Sequence, residues 1–240
     1  MTLRVAVVGA HGRMGTSACA AIEGDAELEL GAQIGRGDAP EFAGHDVVLE
    51  LSTPSSVRGN TLAALTEGVP VVVGATGLSA SDLRDIEAAA KSHSAAALVI
   101  PNFALGAVLM MRFAQQAARF FDRAEIIERH HEKKLDAPSG TARRTAELMN
   151  ETHAGPWGEI AEDDGSGARG EDVDGVQIHS LRLPGSVAHQ EVLFGAPGEV
   201  LTIKHDSLDR SSFMPGILLA VKAVPEMSGL TVGLEHLLDL

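Results

Sequence analysis

Residues 3–15 read LRVAVVGAHGRMG, a short apolar run followed by glycines at positions 9, 12 and 15. Residues 3–8 are apolar and rich in valine, which is typical of a strand buried in a parallel sheet. Residues 16–22 are rich in alanine and favour a helix. This order predicts a dinucleotide-binding turn, because glycines let the backbone approach a pyrophosphate at the helix N-terminus. The spacing GxxGxxG is less common than GxGxxG, so the prediction depends on the flanking strand and helix.

The first hundred residues continue this alternation. Ser79 and Asp82 have the spacing of a helix-capping pair. Further strands are predicted at residues 28–34, 46–51, 69–74 and 97–100, and helices at residues 57–67 and from Ser79 to about residue 92. Regular βα alternation predicts an α/β fold with a Rossmann-type, doubly wound parallel sheet.

The pattern changes after Pro101. Helices are predicted at residues 105–121, 139–152 and 212–223. Strands are predicted at residues 124–128, 176–183, 187–194, 199–205 and 230–232. Residues 155–175 are predicted to form an acidic, glycine-rich loop. The three runs between 176 and 205 are close enough in sequence to pair antiparallel. Met110, Met111, Phe113 and Phe120 are expected to face the core. We therefore expect a dinucleotide-binding domain of residues 1–103, completed by 214–240, and a second, α+β domain of residues 104–213.

Residues 126–142 read IIERHHEKKLDAPSGTA and carry the densest chemistry of the chain. His130, His131, Lys133 and Lys134 place two imidazoles and two ammonium groups within five positions. Histidine can exchange a proton near neutral pH, and lysine can do so where its environment lowers its pKa. The Ser-Gly-Thr helix start at 139–141 offers backbone N–H groups and a helix dipole to an anion. The segment predicts an active site for an anionic substrate.

The composition excludes several classes of protein. The net charge of −14 argues against a nucleic-acid surface, which needs a basic patch. No run is long enough to cross a membrane, and no signal peptide is expected. Cys19 is the only cysteine, so no disulfide can form within the chain and the cytoplasm is the expected compartment. Glu162, Asp163 and Asp164 are interpreted as a solvated loop, and no His or Cys pattern predicts a metal site.

These motifs resemble those of the 4-hydroxy-tetrahydrodipicolinate reductase family, also called dihydrodipicolinate reductases, of lysine and diaminopimelate biosynthesis. The resemblance begins at VVGAHGRMG (7–15) and is closest at residues 128–142, where the family carries E-x-H-H-x-x-K-x-D-A-P-S-G-T-A. It continues at ELSTP (50–54), VGATG (73–77), PNF (101–103), 185–191 and 205–213, and so covers nearly the whole chain.

The resemblance implies hydride transfer from NAD(P)H to a cyclic imine dicarboxylate, followed by protonation. By motif position, His130 would be the general acid/base, Lys134 the proton donor, and His131, Lys134, Gly140 and Thr141 the carboxylate-binding residues. The cofactor would be lined by Gly9, Ala10, His11, Gly12, Arg13, Met14, Gly74, Ala75, Thr76, Ile100, Pro101, Asn102 and Phe103. The family is tetrameric through its substrate-domain sheets, which implies a homotetramer with no nucleic-acid or membrane partner.

The end of the second strand bears on the choice of cofactor. NAD-binding Rossmann folds place an acidic residue there to bind the ribose 2′-hydroxyl. The expected position is Gly35, and Arg36 beside it offers a partner for a 2′-phosphate. We therefore predict a preference for NADPH, with NADH also accepted. An ordinary surface arginine is the alternative interpretation of Arg36.

Two other functions remain open on the residues alone. A related amino-acid dehydrogenase, of the aspartate or homoserine type, would share a Rossmann domain with an inserted sheet domain. Such an enzyme should lack the His-His-x-x-Lys-x-Asp-Ala-Pro-Ser-Gly-Thr run, which is complete here. A non-catalytic nucleotide-sensing protein would be expected to lose His130 or Lys134, and this chain has both.

Overall fold

The computed structural model describes residues 2–158 and 167–238. The chain folds into two compact units. Unit 1 consists of Met1–Leu105 and Arg210–Leu240, and unit 2 of Gly106–Asp209. Neither Glu162, Asp163 nor Asp164 belongs to the described residues. No helix of the described residues is long and apolar enough to span a bilayer.

Unit 1 is built on a parallel sheet. Its strands are β1 Leu3–Val8, β2 Leu28–Ile34, β3 Val47–Glu50, β4 Val71–Val73, β5 Ala96–Val99 and β11 Gly229–Val232. They lie in the order β11-β5-β4-β3-β1-β2, and every neighbouring pair is parallel. The predicted Rossmann-type sheet is confirmed.

The helices of unit 1 follow the strands as the pattern predicted. They are α1 Arg13–Glu23, α2 Val57–Thr66, α3 Ala80–Ser92 and α6 Met214–Ala223. Ser79 and Asp82 form the predicted capping box at the start of α3. The four inner strands β1, β3, β4 and β5 are nearly continuous runs of buried residues, mostly aliphatic, so both faces of the sheet are covered at its centre.

Unit 2 contains a mixed five-stranded sheet and two helices. The helices are α4 Leu105–Ala117 and α5 Gly140–Thr152; the strands are β6 Arg123–His130, β7 Glu171–Val173, β8 Val176–Arg182, β9 Ala188–Ala196 and β10 Glu199–Ser207. The strand order is β10-β9-β6-β8-β7. Strand β7 lies within the segment predicted to be a loop, so that prediction is wrong for Glu171–Val173.

Strand β6 corrects the predicted pairing of this sheet. Strands β9 and β10 pair antiparallel as predicted, but β8 does not pair with β9. Strand β6 lies between them, antiparallel to β9 and parallel to β8. The central strand of unit 2 is therefore the strand that ends in His130.

The two faces of this sheet differ. On the inner face, Ile126, Ile178, Val192 and Phe194 pack with Ala142, Ala146 and Met149 of α5 in one buried cluster. On the outer face, Val200 is 69% exposed and Leu181 is 39% exposed. In α4, Met110 and Met111 are buried as predicted, but Phe113 is 50% exposed and Phe120, just past the helix, 77% exposed. The prediction that these two rings face the core is wrong.

The first and last segments of unit 2 lie side by side. A Cβ atom added to Gly106 would be 2.5 Å from the ring of His205. Chain entry into this unit and chain exit from it are therefore in contact.

Candidate active site and cofactor cleft

The glycine turn of unit 1 is held closed by backbone contacts. Gly9 has φ +81°, and a Cβ atom there would lie 2.6 Å from the carbonyl oxygen of Leu51. A Cβ atom on Gly15 would overlap the carbonyl oxygen of Gly9. Only glycine fits these two positions, because one needs a left-handed backbone and the other a close helix-to-turn approach. The turn then leads into α1, whose N-cap is Gly12.

A cleft of about 660 Å³ lies beside this turn, at the carboxyl ends of β1, β2 and β3. Among the predicted cofactor residues, its walls include Gly9, His11, Gly12 and Arg36. Four hydroxyl residues (Ser52, Thr53, Ser55 and Ser56) and Asn60 form another wall. This volume and its polar lining suit an organic ligand that carries phosphate and hydroxyl groups.

The remaining predicted cofactor residues occupy neighbouring positions. Ala10 is buried under the turn, and Arg13 and Met14 form the first residues of α1. Gly74, Ala75 and Thr76 follow β4, and Ile100, Pro101, Asn102 and Phe103 follow β5. The Phe103 ring packs directly on Gly74, where a Cβ atom would overlap it. These segments lie at the carboxyl ends of adjacent strands, where doubly wound folds bind their ligands.

The end of β2 contains an acidic group that the sequence analysis missed. Asp38 accepts the backbone N–H of Gly35 at 2.7 Å. A side chain at position 35 would collide with the ring of His11, only 2.6 Å from an added Cβ atom. An acid at position 35 would therefore require the His11 ring to move, and Asp38 brings a carboxylate to the same place from three residues further on.

In unit 2 the candidate catalytic side chains lie at one end of the inner sheet face. Glu128 and His130 are alternate residues of β6, so their side chains point to the same side. His130 Nδ1 lies 2.6 Å from Glu128 Oε2. The second carboxylate oxygen of Glu128 accepts the backbone N–H of Ser139 at 3.1 Å. Glu128 therefore joins the predicted acid/base residue to the start of α5.

The helix start has the predicted form. Ser139 is the N-cap of α5, and its hydroxyl accepts the backbone N–H of Ala142. Gly140 and Thr141 are the first helical residues, and space is open beside Gly140. Thr145 donates to the Thr141 carbonyl and accepts from the buried Gln190 of β9, which fixes this turn to the sheet. The first turn of a helix so placed offers an anion its N–H groups and dipole.

The loop from 131 to 138 carries the predicted lysine. The Lys134 ammonium donates to both oxygens of Asp136, at 2.7 and 2.9 Å. This contact holds the pKa of the Asp136 carboxyl below its ordinary value, mainly through the lysine hydrogen bond. The side chains of His131 and Lys133 are exposed. Lys134 is thus the partly covered cation of the loop, while Lys133 faces solvent.

Arg182 of β8 connects these parts, and the sequence analysis did not identify it. Its guanidinium donates to both oxygens of Glu128, at 2.8 and 2.9 Å. It also donates to the carbonyl oxygens of Lys134 and Asp136. Burial raises the pKa of Glu128, but hydrogen bonds from His130, Arg182 and Ser180 outweigh it and lower that pKa to about 2. The described residues contain no group of three or more His, Cys, Asp or Glu side chains that could hold a metal ion.

Two family models match this chain over most of its length. "Dihydrodipicolinate reductase, N-terminus" matches residues 3–103, and "Dihydrodipicolinate reductase, C-terminus" matches residues 106–238. The chain belongs to the dihydrodipicolinate reductase family. The family predicted from the sequence is confirmed.

Relatives within this family match from end to end. The 4-hydroxy-tetrahydrodipicolinate reductase of Nocardia farcinica is 50% identical, covering 100% of both chains. That of Mycobacterium marinum is 50% identical, covering 99% of this chain and 100% of its own. A dipicolinate-bound dihydrodipicolinate reductase from Paenisporosarcina sp. TG-14 has a TM-score of 0.86 at 38% identity, covering 99% of this chain and 100% of its own. The dihydrodipicolinate reductase match thus includes both units.

Proposed function

We propose that this chain reduces 4-hydroxy-tetrahydrodipicolinate to tetrahydrodipicolinate, using NADPH or NADH. The observation that carries the proposal is the contact of His130 and the start of α5 with the carboxylate of Glu128, which Arg182 joins to the loop that carries Lys134. End-to-end identity of 50% with reductases of that name supports the same substrate. In this reading, unit 1 binds the nucleotide, and unit 2 binds the substrate and forms the oligomer interface.

The residues of unit 2 match the needs of a dicarboxylate substrate. His131, Lys134 and the backbone N–H groups of Gly140 and Thr141 supply positive charge and donors for its carboxylates. The dipicolinate-bound relative, which holds a dicarboxylate, supports a ligand of this class. The ion pair between Lys134 and Asp136 orients the ammonium group.

The chemical steps divide between cofactor and protein. The nicotinamide, when bound, supplies the hydride. The 4-hydroxyl group leaves as water, which gives the unsaturated cyclic imine that accepts the hydride. Lys134 stabilises the negative charge that hydride addition leaves on this imine and donates a proton to the ring carbon. His130 acts as the general acid/base that completes the proton transfer.

The cleft of unit 1 fits a pyridine dinucleotide. Gly9 and Gly12 expose backbone for a pyrophosphate at the N-terminus of α1, where the helix dipole favours an anion. The residues that follow β4 and β5, residues 74–76 and 100–103, would line the nicotinamide end. His11, which packs over Gly35, would border the adenosine ribose together with Arg36.

Arg36 and Asp38 give this cleft two ways to recognise the ribose. Both residues line the cleft and both are exposed. Arg36 can pair with a 2′-phosphate, whereas the Asp38 carboxylate can accept a hydrogen bond from a free 2′-hydroxyl. We therefore propose that NADPH is preferred and NADH is accepted, since Asp38 weakens the advantage that Arg36 gives to the phosphate.

The outer face of the unit 2 sheet supports a homotetramer. It forms a cavity of about 480 Å³ whose lining includes Ile127, Leu193 and Val200. A partly apolar sheet face of this kind is typical of an interface between subunits. Light scattering coupled to size exclusion should give a mass of four chains, and a monomer mass would refute the assembly. With its single, buried Cys19, the chain suits the reducing cytoplasm.

The function is tested by a coupled assay. Freshly made 4-hydroxy-tetrahydrodipicolinate is supplied, and the absorbance of NADPH or NADH is followed in parallel. Oxidation of both, with the higher kcat/KM for NADPH, is expected. Folded protein that binds nucleotide but oxidises neither would refute the reductase and favour a non-catalytic nucleotide sensor.

A further inference from the structure

The carboxylate of Glu128 is the most completely buried charge of the active site. Its residue has no exposed surface, although it lies only two positions from His130. Its two oxygens accept hydrogen bonds from His130, Ser139 and Ser180 and two from Arg182. A buried carboxylate with this many donors is held in one orientation.

The position of Arg182 beside His130 results from the pairing of β6 with β8. In that parallel ladder Arg182 is the direct partner of His130. Its two terminal nitrogens contact the two oxygens of Glu128 in the bidentate arrangement that fixes both planes. The same guanidinium donates to the carbonyl of Asp136, so it also anchors the loop that carries Lys134.

The charge of Glu128 decides the chemistry of its neighbour. The pKa of Glu128, lowered to about 2 by its hydrogen bonds despite burial, keeps the group ionised at any pH near neutrality. An ionised carboxylate only accepts hydrogen bonds. The nitrogen of His130 that contacts it, Nδ1, must therefore carry a hydrogen.

We propose that Glu128 and Arg182 are positioning residues, which hold His130 in the tautomer protonated at Nδ1 and leave Nε2 to exchange the reaction's proton. This inference rests on the proposed reductase function and deepens it, because it assigns the working atom of the acid/base residue. The other reading of the same contacts is a purely structural tie between β6, β8 and the following loop. The two readings differ in what they predict for the imidazole itself.

The charged groups around His130 are few. Glu128 faces it from its own strand and Arg182 lies beside it on β8, while the opposite residue on β9 is Ala188, which carries no charge. The loop contributes the ion pair of Lys134 with Asp136. Glu128 is thus the only anion of the described residues in direct contact with the imidazole.

The first experiment needs neither substrate nor cofactor. Long-range ¹H–¹⁵N spectra of the ¹⁵N-labelled, full-length protein report which ring nitrogen of each histidine carries hydrogen. We expect neutral His130 to be protonated at Nδ1 in the unaltered protein and to become a mixture of tautomers in Glu128→Gln. An Nε2-protonated ring in the unaltered protein, or an unchanged ring in the variant, would overturn the proposal.

The second experiment uses two substitutions with opposite expected effects. Glu128→Gln removes the anion beside the imidazole, so the inflection of kcat/KM against pH should move to lower pH. We also expect kcat to fall at least tenfold, while KM stays within threefold of its value in the unaltered protein. Arg182→Met removes the cation that shares the Glu128 carboxylate with His130, so the inflection should move to higher pH. Shifts in the same direction, or none, would show a structural tie only.

Val192→Ala is the matched control for lost stability. Val192 is fully buried on the same inner face, opposite Ile126, and its apolar side chain can form no hydrogen bond with His130 or Glu128. The Val192→Ala substitution should lower the melting temperature without changing the tautomer of His130 or the inflection of kcat/KM against pH. An unaltered protein without reductase activity would refute the proposed reductase function. The tautomer measurement would still show whether His130 is held in the proposed tautomer.

Discussion

The carboxylate of Asp38 lies 2.7 Å from the backbone nitrogen of Gly35, at the end of β2. An acidic group is therefore present where dinucleotide-binding folds usually bind the ribose, although it comes from a later position in the chain. Arg36, between the two residues, lines the same cleft. The proposed preference for NADPH over NADH depends on these two side chains of opposite charge.

Removing either charge should change the preference in opposite directions. We expect Arg36→Ala to weaken NADPH binding about tenfold, or about 1.4 kcal/mol, because a 2′-phosphate loses its cation, and to leave NADH little changed. Asp38→Ala should weaken NADH binding and spare or improve NADPH binding. Isothermal titration calorimetry measures both dissociation constants, and each variant is the control for the other. An equal loss of affinity for NADPH and NADH in either variant would contradict the roles assigned to Arg36 and Asp38.

Replacement of Lys134 by alanine should abolish turnover without affecting the nucleotide. We expect kcat to fall by roughly 10²–10⁴, the range for loss of a positioned proton donor, while NADPH binds as before. Lys133→Ala is the matched control, because Lys133 is exposed and should be replaceable at no cost. Steady-state kinetics and NADPH titration test both variants. Retained kcat in Lys134→Ala would remove this lysine from the mechanism.

An alanine at Gly15 should damage the nucleotide turn. Its methyl group would overlap the Gly9 carbonyl, so α1 must move away from the turn, at a cost of about 1–3 kcal/mol for overpacking. Gly59→Ala makes the same change in α2 with nothing within 4 Å of the new Cβ, and should stabilise by about 0.5–1 kcal/mol. Thermal unfolding and NADPH titration compare the two. Equal effects would show that close contact at Gly15 is unimportant.

Acid should destabilise the protein through Glu128. The pKa of this group falls from 4.5 in an unfolded chain to about 2 in the folded protein, so its stabilisation is fully present above pH 4.5 and is lost as pH falls toward 2. Glu128→Gln lacks this titration, so its melting temperature should vary less with pH between 5 and 3. Differential scanning calorimetry across that range measures the difference. Parallel curves for the two proteins would show that Glu128 does not contribute to acid unfolding.

The sequence predicted unit 1 well because its signals are local. The buried strand, the glycine turn and the Ser79 to Asp82 capping box each lie within a few residues. The acidic residue at the end of β2 was not predicted, because its expected position was counted along the chain from the glycine turn. The position of the His11 ring, which a side chain at Gly35 would have to displace, cannot be predicted from that count.

Unit 2 was harder because its decisive contacts are distant in sequence. Strand β6 was predicted to end at Glu128; its continuation to His130 places both side chains on one face, an inference that the two-residue period would have allowed. Arg182 follows His130 by about fifty residues, and only the parallel register brings them together. Likewise, closely spaced strands suggested that β8 pairs with β9, and nothing local showed that the earlier β6 separates them.

The contact between Gly106 and His205 has a consequence for how such proteins can diversify. A segment that leaves and rejoins its parent at one point can be exchanged as a cassette, because the flanking chain needs no new path. Under the proposed roles of the two units, grafting residues 106–209 from a relative would exchange the substrate-binding unit and keep the nucleotide-binding unit. Recombination at that junction offers a short route to new reductases.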